Sequence, residues 1–161
     1  MKFARDLIFI VLACLLVGLY ALSANGFPLD DSWIHQVYGR NLAQLGQWAF
    51  VPDVPSSAST APFYTLLLAL GYVLNIPYMF WTHLLGALAL AGAGMIGGRM
   101  AEMIYPKSVA VGWVGGLSLI GSWHLIWASA SGMETMLFCT LLLLAIWLAW
   151  GETDDKKQMT A

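Results

Sequence analysis

The sequence predicts an all-α, polytopic transmembrane helix bundle of four or five spans, with an amphipathic surface helix in the first external loop. Of its 161 residues, 60% are hydrophobic and only 10% are charged. A soluble domain of this size could not hide so much apolar surface from water. The apolar residues also form long runs that polar turns separate, and the first run alone can cross a bilayer. We therefore expect one membrane domain over residues 1–161.

The first span is predicted over residues 7–24, an apolar run of the length that a bilayer requires. Lys2 and Arg5 precede this run, so the positive-inside rule places the N-terminus in the cytoplasm and the following loop outside. The alternative is a cleaved signal peptide. It is disfavoured because the run is long and residues 21–25 make a poor cleavage site.

The predicted external loop, residues 25–61, contains a helix over 32–46 that is expected to lie on the membrane surface. Its side chains alternate with helical period between an apolar and a polar side. The apolar side has Ile34, Val37, Tyr38, Leu42 and Leu45, and the polar side has His35, Gln36, Arg40, Asn41 and Gln44. Asp30 or Asp31 is expected to cap the helix, where its dipole favours negative charge, and Gly46 to end it.

Three further spans are predicted over residues 62–76, 78–98 and 133–150. Pro62 suits the first turn of the second span. The third span contains Gly94 and Gly98, a pair of small residues four apart that lets another helix approach closely. Residues 51–61, rich in proline and small polar residues, are predicted to form a loop.

Residues 108–128 are ambiguous, because their length suits one span but several glycines interrupt it. A single crossing gives five spans and a cytoplasmic Glu134. A re-entrant hairpin, hinged near Gly121 and Ser122, gives four full spans, with Glu134 outside and both tails inside. Arg99 and Lys107 are outside in both arrangements. The positive-inside rule favours the hairpin, because it places Lys156 and Lys157 in the cytoplasm.

Asp30 and Asp31 are the first candidates for chemistry, because a carboxylate pair is costly to hold beside lipid. One of them could be a general base toward an acceptor hydroxyl, and the alternative is a helix cap with a solvated charge. His35 lies one turn after Asp31, where it could orient that carboxylate or bind phosphate. Arg40 is a candidate ligand for a lipid-linked phosphate, with unspecific headgroup contact as the alternative.

Glu134 either caps the last helix or is a second active-site carboxylate. The sequence contains no metal-ligand spacing, so a divalent metal has no support, and it contains neither a nucleotide-phosphate loop nor a basic patch for nucleic acid. Cys14 and Cys139 lie in apolar runs and are expected to be buried thiols. Membrane lipids are the partners that the composition indicates.

Four short stretches occur in a familiar order: residues 27–33 (FPLDDSW), 38–43 (YGRNLA), 55–69 (PSSASTAPFYTLLLA) and 131–135 (SGMET). In these stretches the chain resembles the C-type membrane glycosyltransferases, the GT-C superfamily. The bacterial branch includes protein mannosyltransferases, lipid A aminoarabinose transferases and mycobacterial arabinofuranosyltransferases. One departure is Thr60-Ala61-Pro62, where several members have a basic residue before the proline.

The resemblance implies an enzyme that transfers a sugar from a polyprenyl-phosphate donor to an acceptor, on the outer face of the bacterial cytoplasmic membrane. The catalytic residues would be Asp30 or Asp31, as the base, and Glu134. The substrate-binding residues would be Arg40, His35 and Tyr38. Members usually have eight or more spans, so we expect an N-terminal portion of a longer enzyme, with further C-terminal spans.

Two other functions stay open. A non-catalytic membrane subunit could pack against partner helices through glycines at 94 and 98 and at 112 and 116. A transporter fragment, suggested by the broken run 108–128, is the weaker alternative, because no inverted repeat is visible.

Overall fold

A computed structural model describes the chain except residues 1, 24–25, 107 and 160–161, and over residues 152–159 it describes only the backbone. The predicted ends at residues 24 and 25, together with Lys107, Lys156 and Lys157, therefore lie outside what is described. All regular elements of the described part are helices, which confirms the all-α class. They are α1 (Lys2–Ser23), α2 (Asp30–Leu45), α3 (Pro62–Val73), α4 (Tyr78–Ile104), α5 (Val109–Ile120), α6 (Trp123–Ala130) and α7 (Thr135–Met159).

Two helices of the described part, α1 and α4, are long and apolar enough to cross a membrane. The pair α5 and α6 is a third candidate if its two helices count as one span. The apolar part of α7 whose side chains are described, Thr135–Gly151, is shorter. These helices make the chain a membrane protein by length and composition.

Helix α4 is the axis of the bundle, and α1 lies antiparallel to it. At one end, the guanidinium of Arg5 donates to Glu102, and Arg99 donates to Asp6 across 2.7 Å. At the other end, the ring of Phe27, just after α1, lies 5.6 Å from that of His83. We call these the Arg5 end and the α2 end of the bundle, because α2 lies at the second.

Helices α5 and α6 follow α4 from the Arg5 end to the α2 end. Cβ atoms added at Gly98 and Gly86 would collide with the carbonyl groups of Gly112 in α5 and Ser129 in α6, respectively. The break falls at Gly121 and Ser122, as predicted, but the bend there is only 54°. The favoured re-entrant hairpin is therefore corrected to a bent element that continues in one direction. It does not return because α4 offers small residues from Gly86 to Ala101, so both halves pack against it.

Helix α3, predicted as the second span over 62–76, has only 12 residues and does not cross the bundle. Its length is about 18 Å, against a hydrocarbon core of about 30 Å. Its first turn contacts the segment after α6, where Tyr64 donates to the Gly132 carbonyl across 3.1 Å. Its last turn contacts α2, where Tyr72 donates to Gln36 across 3.0 Å. Both the first and the last turn of α3 thus lie at the α2 end of the bundle, and α4 starts from this end of the bundle.

This correction changes the predicted topology. Because α3 does not cross, α4 runs away from α2, and Arg99 shares the Arg5 end instead of lying outside. The last helix, α7, runs beside α4 in the same direction: Thr140 donates to the Ala89 carbonyl across 2.7 Å, and Arg99 stacks over Trp147. Glu134, at the start of α7, is therefore at the α2 end, as the four-span arrangement required.

The buried side of α2 differs in part from the predicted one: it contains His35, Gln36 and Asn41 from the predicted polar side, together with Tyr38 from the predicted apolar side. Its buried residues are Ser32, His35, Gln36, Tyr38, Gly39 and Asn41, and Leu45 is exposed. His35, Gln36 and Asn41 can be buried because each has a hydrogen-bond partner in the protein, which removes the cost of burial. Arg40 and Gln44 of the same predicted side are exposed. Gly39 permits this packing, since an added Cβ would lie 3.1 Å from the Leu68 Cβ and 3.2 Å from the Ala69 nitrogen. Gly46 ends the helix with φ 68°, as predicted.

Candidate functional site

A histidine and a carboxylate meet at the α2 end. His35 Nε2 lies 3.2 Å from Glu134 Oε2, and the His35 side chain is only 1% exposed. The distance is that of an ion pair, but the atoms are not aligned for a hydrogen bond, so each lacks a hydrogen-bond partner among the described residues. Glu134 Oε2 is buried although its side chain is 29% exposed, and a buried carboxylate oxygen beside a buried imidazole is costly unless the two groups compensate each other. We call His35 and Glu134 the His–Glu pair.

The other face of the His35 ring is held by polar groups from the loop before α3. Nδ1 lies 3.2 Å from Ser59 Oγ, which in turn lies 2.8 Å from Thr65 Oγ1. The ring of Tyr64 packs edge-on against the imidazole, with ring centroids 5.9 Å apart. This chain of contacts fixes the position and the plane of the imidazole. Side chains held in this way are preorganised for chemistry, because little rotamer freedom remains to be lost.

Glu134 is positioned by the turn between α6 and α7. Ser32, on α2, donates to the Ser131 carbonyl across 2.7 Å and joins this turn to α2. Gly132 has φ 80°, a left-handed conformation that favours glycine, and any Cβ there would collide with the ring of Phe27. The turn is therefore specified by backbone geometry as well as by hydrogen bonds.

Asp30 and Asp31 form the first turn of α2, one residue or two before the predicted start, and both are exposed. No hydrogen bond or ion pair links either carboxylate to another described residue, and neither acts as the N-cap, which is Leu29. Asp31 lies one helical turn from His35, on the same side of α2. The structure thus brings Asp31, His35 and Glu134 to one region and leaves the aspartate carboxylates free to meet a ligand.

Arg40 does not join this region. It lies on another side of α2, where it borders a cavity of about 240 Å³ with Trp33, Tyr72 and Tyr78. Its only described hydrogen bonds are long contacts, 3.4 Å, to Asn41 Oδ1. A phosphate bound at the His–Glu pair would therefore not share a site wall with Arg40.

Tyr38, which was predicted to bind substrate, is buried and its contacts are with other residues of the chain. Its ring is fully buried, and its hydroxyl lies 2.5 Å from Ser56 Oγ and accepts the Ala58 N–H across 2.9 Å. Trp48 packs against the same ring. Tyr38 thereby ties the loop after α2 to that helix. The part of α2 that includes Tyr38, which was predicted to meet lipid, is thus covered by the loop after α2.

An open groove descends from Glu134 between α3 and α7. Its volume is about 210 Å³, and apart from Glu134 it is lined by apolar and aromatic residues, including Phe63, Phe138 and Leu141. Phe63 and Phe138 are largely exposed, so the groove opens to the outer surface of the bundle. Such a groove suits an apolar chain whose polar head lies at the carboxylate.

Sequence reasoning missed Ser59, Thr65 and Tyr64, which surround His35. The only signal for them was their place in a small-residue stretch next to a predicted helix start. No group of three His, Cys, Asp or Glu side chains that could hold a metal ion occurs within the described residues. His83 lies half-buried beside Phe27, and His124 is exposed.

Comparison of the chain with models of protein families, with curated proteins and with solved structures gave no match. The arguments on function below therefore depend on the residues and their geometry, and on the resemblance in short motifs described above.

Proposed function

We propose that this chain is a membrane glycosyltransferase of the C-type superfamily, or the N-terminal part of one, which uses a polyprenyl-phosphate sugar. The observation that carries the proposal is the His–Glu pair at the head of an apolar groove that faces lipid. A polyprenyl-phosphate sugar has the matching form, a long apolar chain joined to a polar head. The carboxylates of Asp30 and Asp31 lie on the same end of the bundle.

The proposed step is a displacement at the anomeric carbon of the donor sugar. A carboxylate, Asp31 or Asp30, accepts the proton of the acceptor hydroxyl, and the hydroxyl oxygen forms a bond to the anomeric carbon. The bond between that carbon and the phosphate oxygen breaks, and polyprenyl phosphate leaves with the electron pair. Glu134, which lies beside His35, stabilises the positive charge that develops on the sugar ring, as carboxylates do in other glycosyl transfers.

The topology that we propose has four crossings: α1, α4, the bent pair α5 and α6, and α7. The described basic side chains Lys2, Arg5 and Arg99 gather at the Arg5 end, and Arg40 is at the other. By the positive-inside rule, the Arg5 end is cytoplasmic. The His–Glu pair then faces the outside of a bacterial cytoplasmic membrane, where lipid-linked sugars are used.

The alternative of a non-catalytic subunit depended on a glycine-rich surface that would contact a partner helix, and this surface is covered within the chain. Gly94 and Gly98 pack against Gly112 and Gly116 within the chain itself, so these glycines are not free for a partner helix. The bent pair that suggested a transporter is likewise packed along α4, and no charged side chain lies at its break.

The proposal can be tested with the chain in proteoliposomes that contain polyprenyl-phosphate mannose, arabinofuranose or aminoarabinose, each labelled in the sugar. The measurement is release of polyprenyl phosphate together with label transferred to an acceptor. Two variants should abolish release and leave the melting temperature near that of the unchanged chain. One is the double variant Asp30→Asn with Asp31→Asn, and the other is Glu134→Gln.

Asp53→Asn is the matched control. Asp53 is an exposed aspartate of the same external loop, and Asn keeps the oxygen that accepts the Gln47 hydrogen bond of 2.9 Å. Release should be unaffected by this change. Full activity of the Asp30 and Asp31 double variant would refute the proposed base. No release from any of the three donors by the unchanged chain would refute the proposal that this chain transfers the sugar by itself.

A further inference from the structure

The Arg5 end contains a buried guanidinium that is only partly satisfied. Arg5 is 2% exposed, and its Nη1 donates to Glu102 Oε1. Its Nε and Nη2 have no hydrogen-bond partner among the described residues. The closest approach on that side is Asp6 Oδ1, 4.0 Å from Nε, which is beyond hydrogen-bond distance and itself lacks a partner.

These two free donors form one edge of the guanidinium, the side that binds carboxylate or phosphate oxygens in a bidentate manner. A buried donor without a partner costs about 1–3 kcal/mol, so two on one edge are unusual in a folded protein. Both donor atoms are buried, so a ligand with two neighbouring anionic oxygens would satisfy them once the Arg5 side chain turned toward it. Asp6 does not do this in the structure, because its Oδ1 stays 4.0 Å from Nε and its Oδ2 is bonded to Arg99.

A cavity of about 480 Å³ adjoins this guanidinium, and Arg5 is part of its wall. Lys2 and Glu102 are its other charged lining residues, and Trp113 and Val109 are among its apolar ones. Val109 is 57% exposed, so the cavity opens to the surface of the bundle. Its wall therefore combines a cationic region with a larger apolar one.

We propose that this cavity binds the phosphate headgroup of an anionic membrane lipid. The charged groups around it are the cations Lys2, Arg5 and Arg99 and the anions Asp6 and Glu102, so an additional anion balances the cluster. The mixed wall suits a headgroup with the start of its acyl chains, where a free phosphate would leave the apolar part empty. The site lies at the opposite end of the bundle from the His–Glu pair, and its occupation does not depend on the proposed reaction.

Native mass spectrometry of the purified chain, in neutral detergent micelles, tests this site. The chain is titrated with phosphatidylglycerol, with phosphatidylcholine and, in a separate arm, with inorganic phosphate. We expect phosphatidylglycerol to bind more tightly than phosphatidylcholine. Arg5→Lys, which keeps the charge but loses the bidentate edge, should weaken that binding about tenfold, the loss expected for one charge-assisted hydrogen bond.

Val109→Trp narrows the cavity without replacing any charged residue and should also abolish the preference for phosphatidylglycerol. Val114→Trp is its matched control, because Val114 is an exposed valine of the same helix that does not line the cavity. Equal lipid binding by the two tryptophan variants, or equal affinity for both lipids, would overturn the proposal. Binding of inorganic phosphate without a preference for phosphatidylglycerol would overturn the lipid assignment. If the Arg5→Lys variant does not fold, the comparison of lipid binding by the two tryptophan variants tests the proposal.

Discussion

Replacing Gly86 by alanine should destabilise the whole α2 end, because this glycine is where α6 approaches α4 most closely. An added Cβ would overlap the carbonyl oxygen of Ser129 and lie 2.8 Å from its carbonyl carbon, whereas ordinary contact begins at 3.4 Å. The obstacle is backbone, which cannot rotate aside as a side chain can. Helix α6 would have to move, and with it the turn that positions Glu134.

The magnitude follows from two opposing terms. Overpacking in a tight interior costs about 1–3 kcal/mol, and a backbone clash belongs at the upper end. Alanine regains up to about 1 kcal/mol over glycine in helix propensity. The net cost is about 2 kcal/mol for Gly86→Ala. Gly18→Ala is the matched control in α1, since nothing lies within 4 Å of its added Cβ, and it should be neutral or slightly stabilising.

Thermal unfolding in detergent can be followed by a dye that reacts with the partly buried thiols of Cys14 and Cys139 as they become accessible. The two alanine variants differ by about 3 kcal/mol, which corresponds to a difference of about 10 °C in melting temperature for a chain of this size. A melting temperature for Gly86→Ala equal to that for Gly18→Ala would refute the packing of α6 on α4 and the single direction of α5 and α6.

Three further predictions concern single contacts. In a double-mutant cycle of His35→Ala with Glu134→Gln, chemical denaturation should give a coupling free energy of about 1 kcal/mol. If the two changes in unfolding free energy simply add, the interaction between His35 and Glu134 is contradicted. Tyr38→Phe removes the hydroxyl contacts to Ser56 and Ala58. Hydrogen exchange of residues 50–58 should therefore accelerate while exchange in α4 is unchanged. Unchanged exchange in the loop would contradict the conclusion that Tyr38 ties this loop to α2. Thr140→Val loses the hydrogen bond to the Ala89 carbonyl and should cost about 0.6 kcal/mol of unfolding free energy, with a larger cost than this indicating an added packing defect.

The buried side of α2 shows what the spacing of apolar and polar residues cannot predict. The spacing of apolar and polar residues correctly predicts a helix that ends at Gly46, because period and capping are local properties. Which side is buried depends on what the rest of the chain offers to it. Here Thr82, Ser59 and Ser131 supply hydrogen bonds to the polar side, and no rule on one segment contains that information.

The sequence by itself determined the all-α class, the first span, the break at Gly121 and Ser122, and the candidacy of Asp31, His35 and Glu134. These follow from composition, from the length of apolar runs and from residue chemistry, which act within a segment. Only the tertiary structure decided that α3 stays at the α2 end, so that Glu134 meets His35. A short apolar helix has the same sequence pattern whether lipid or protein covers it, and only long-range packing distinguishes the two.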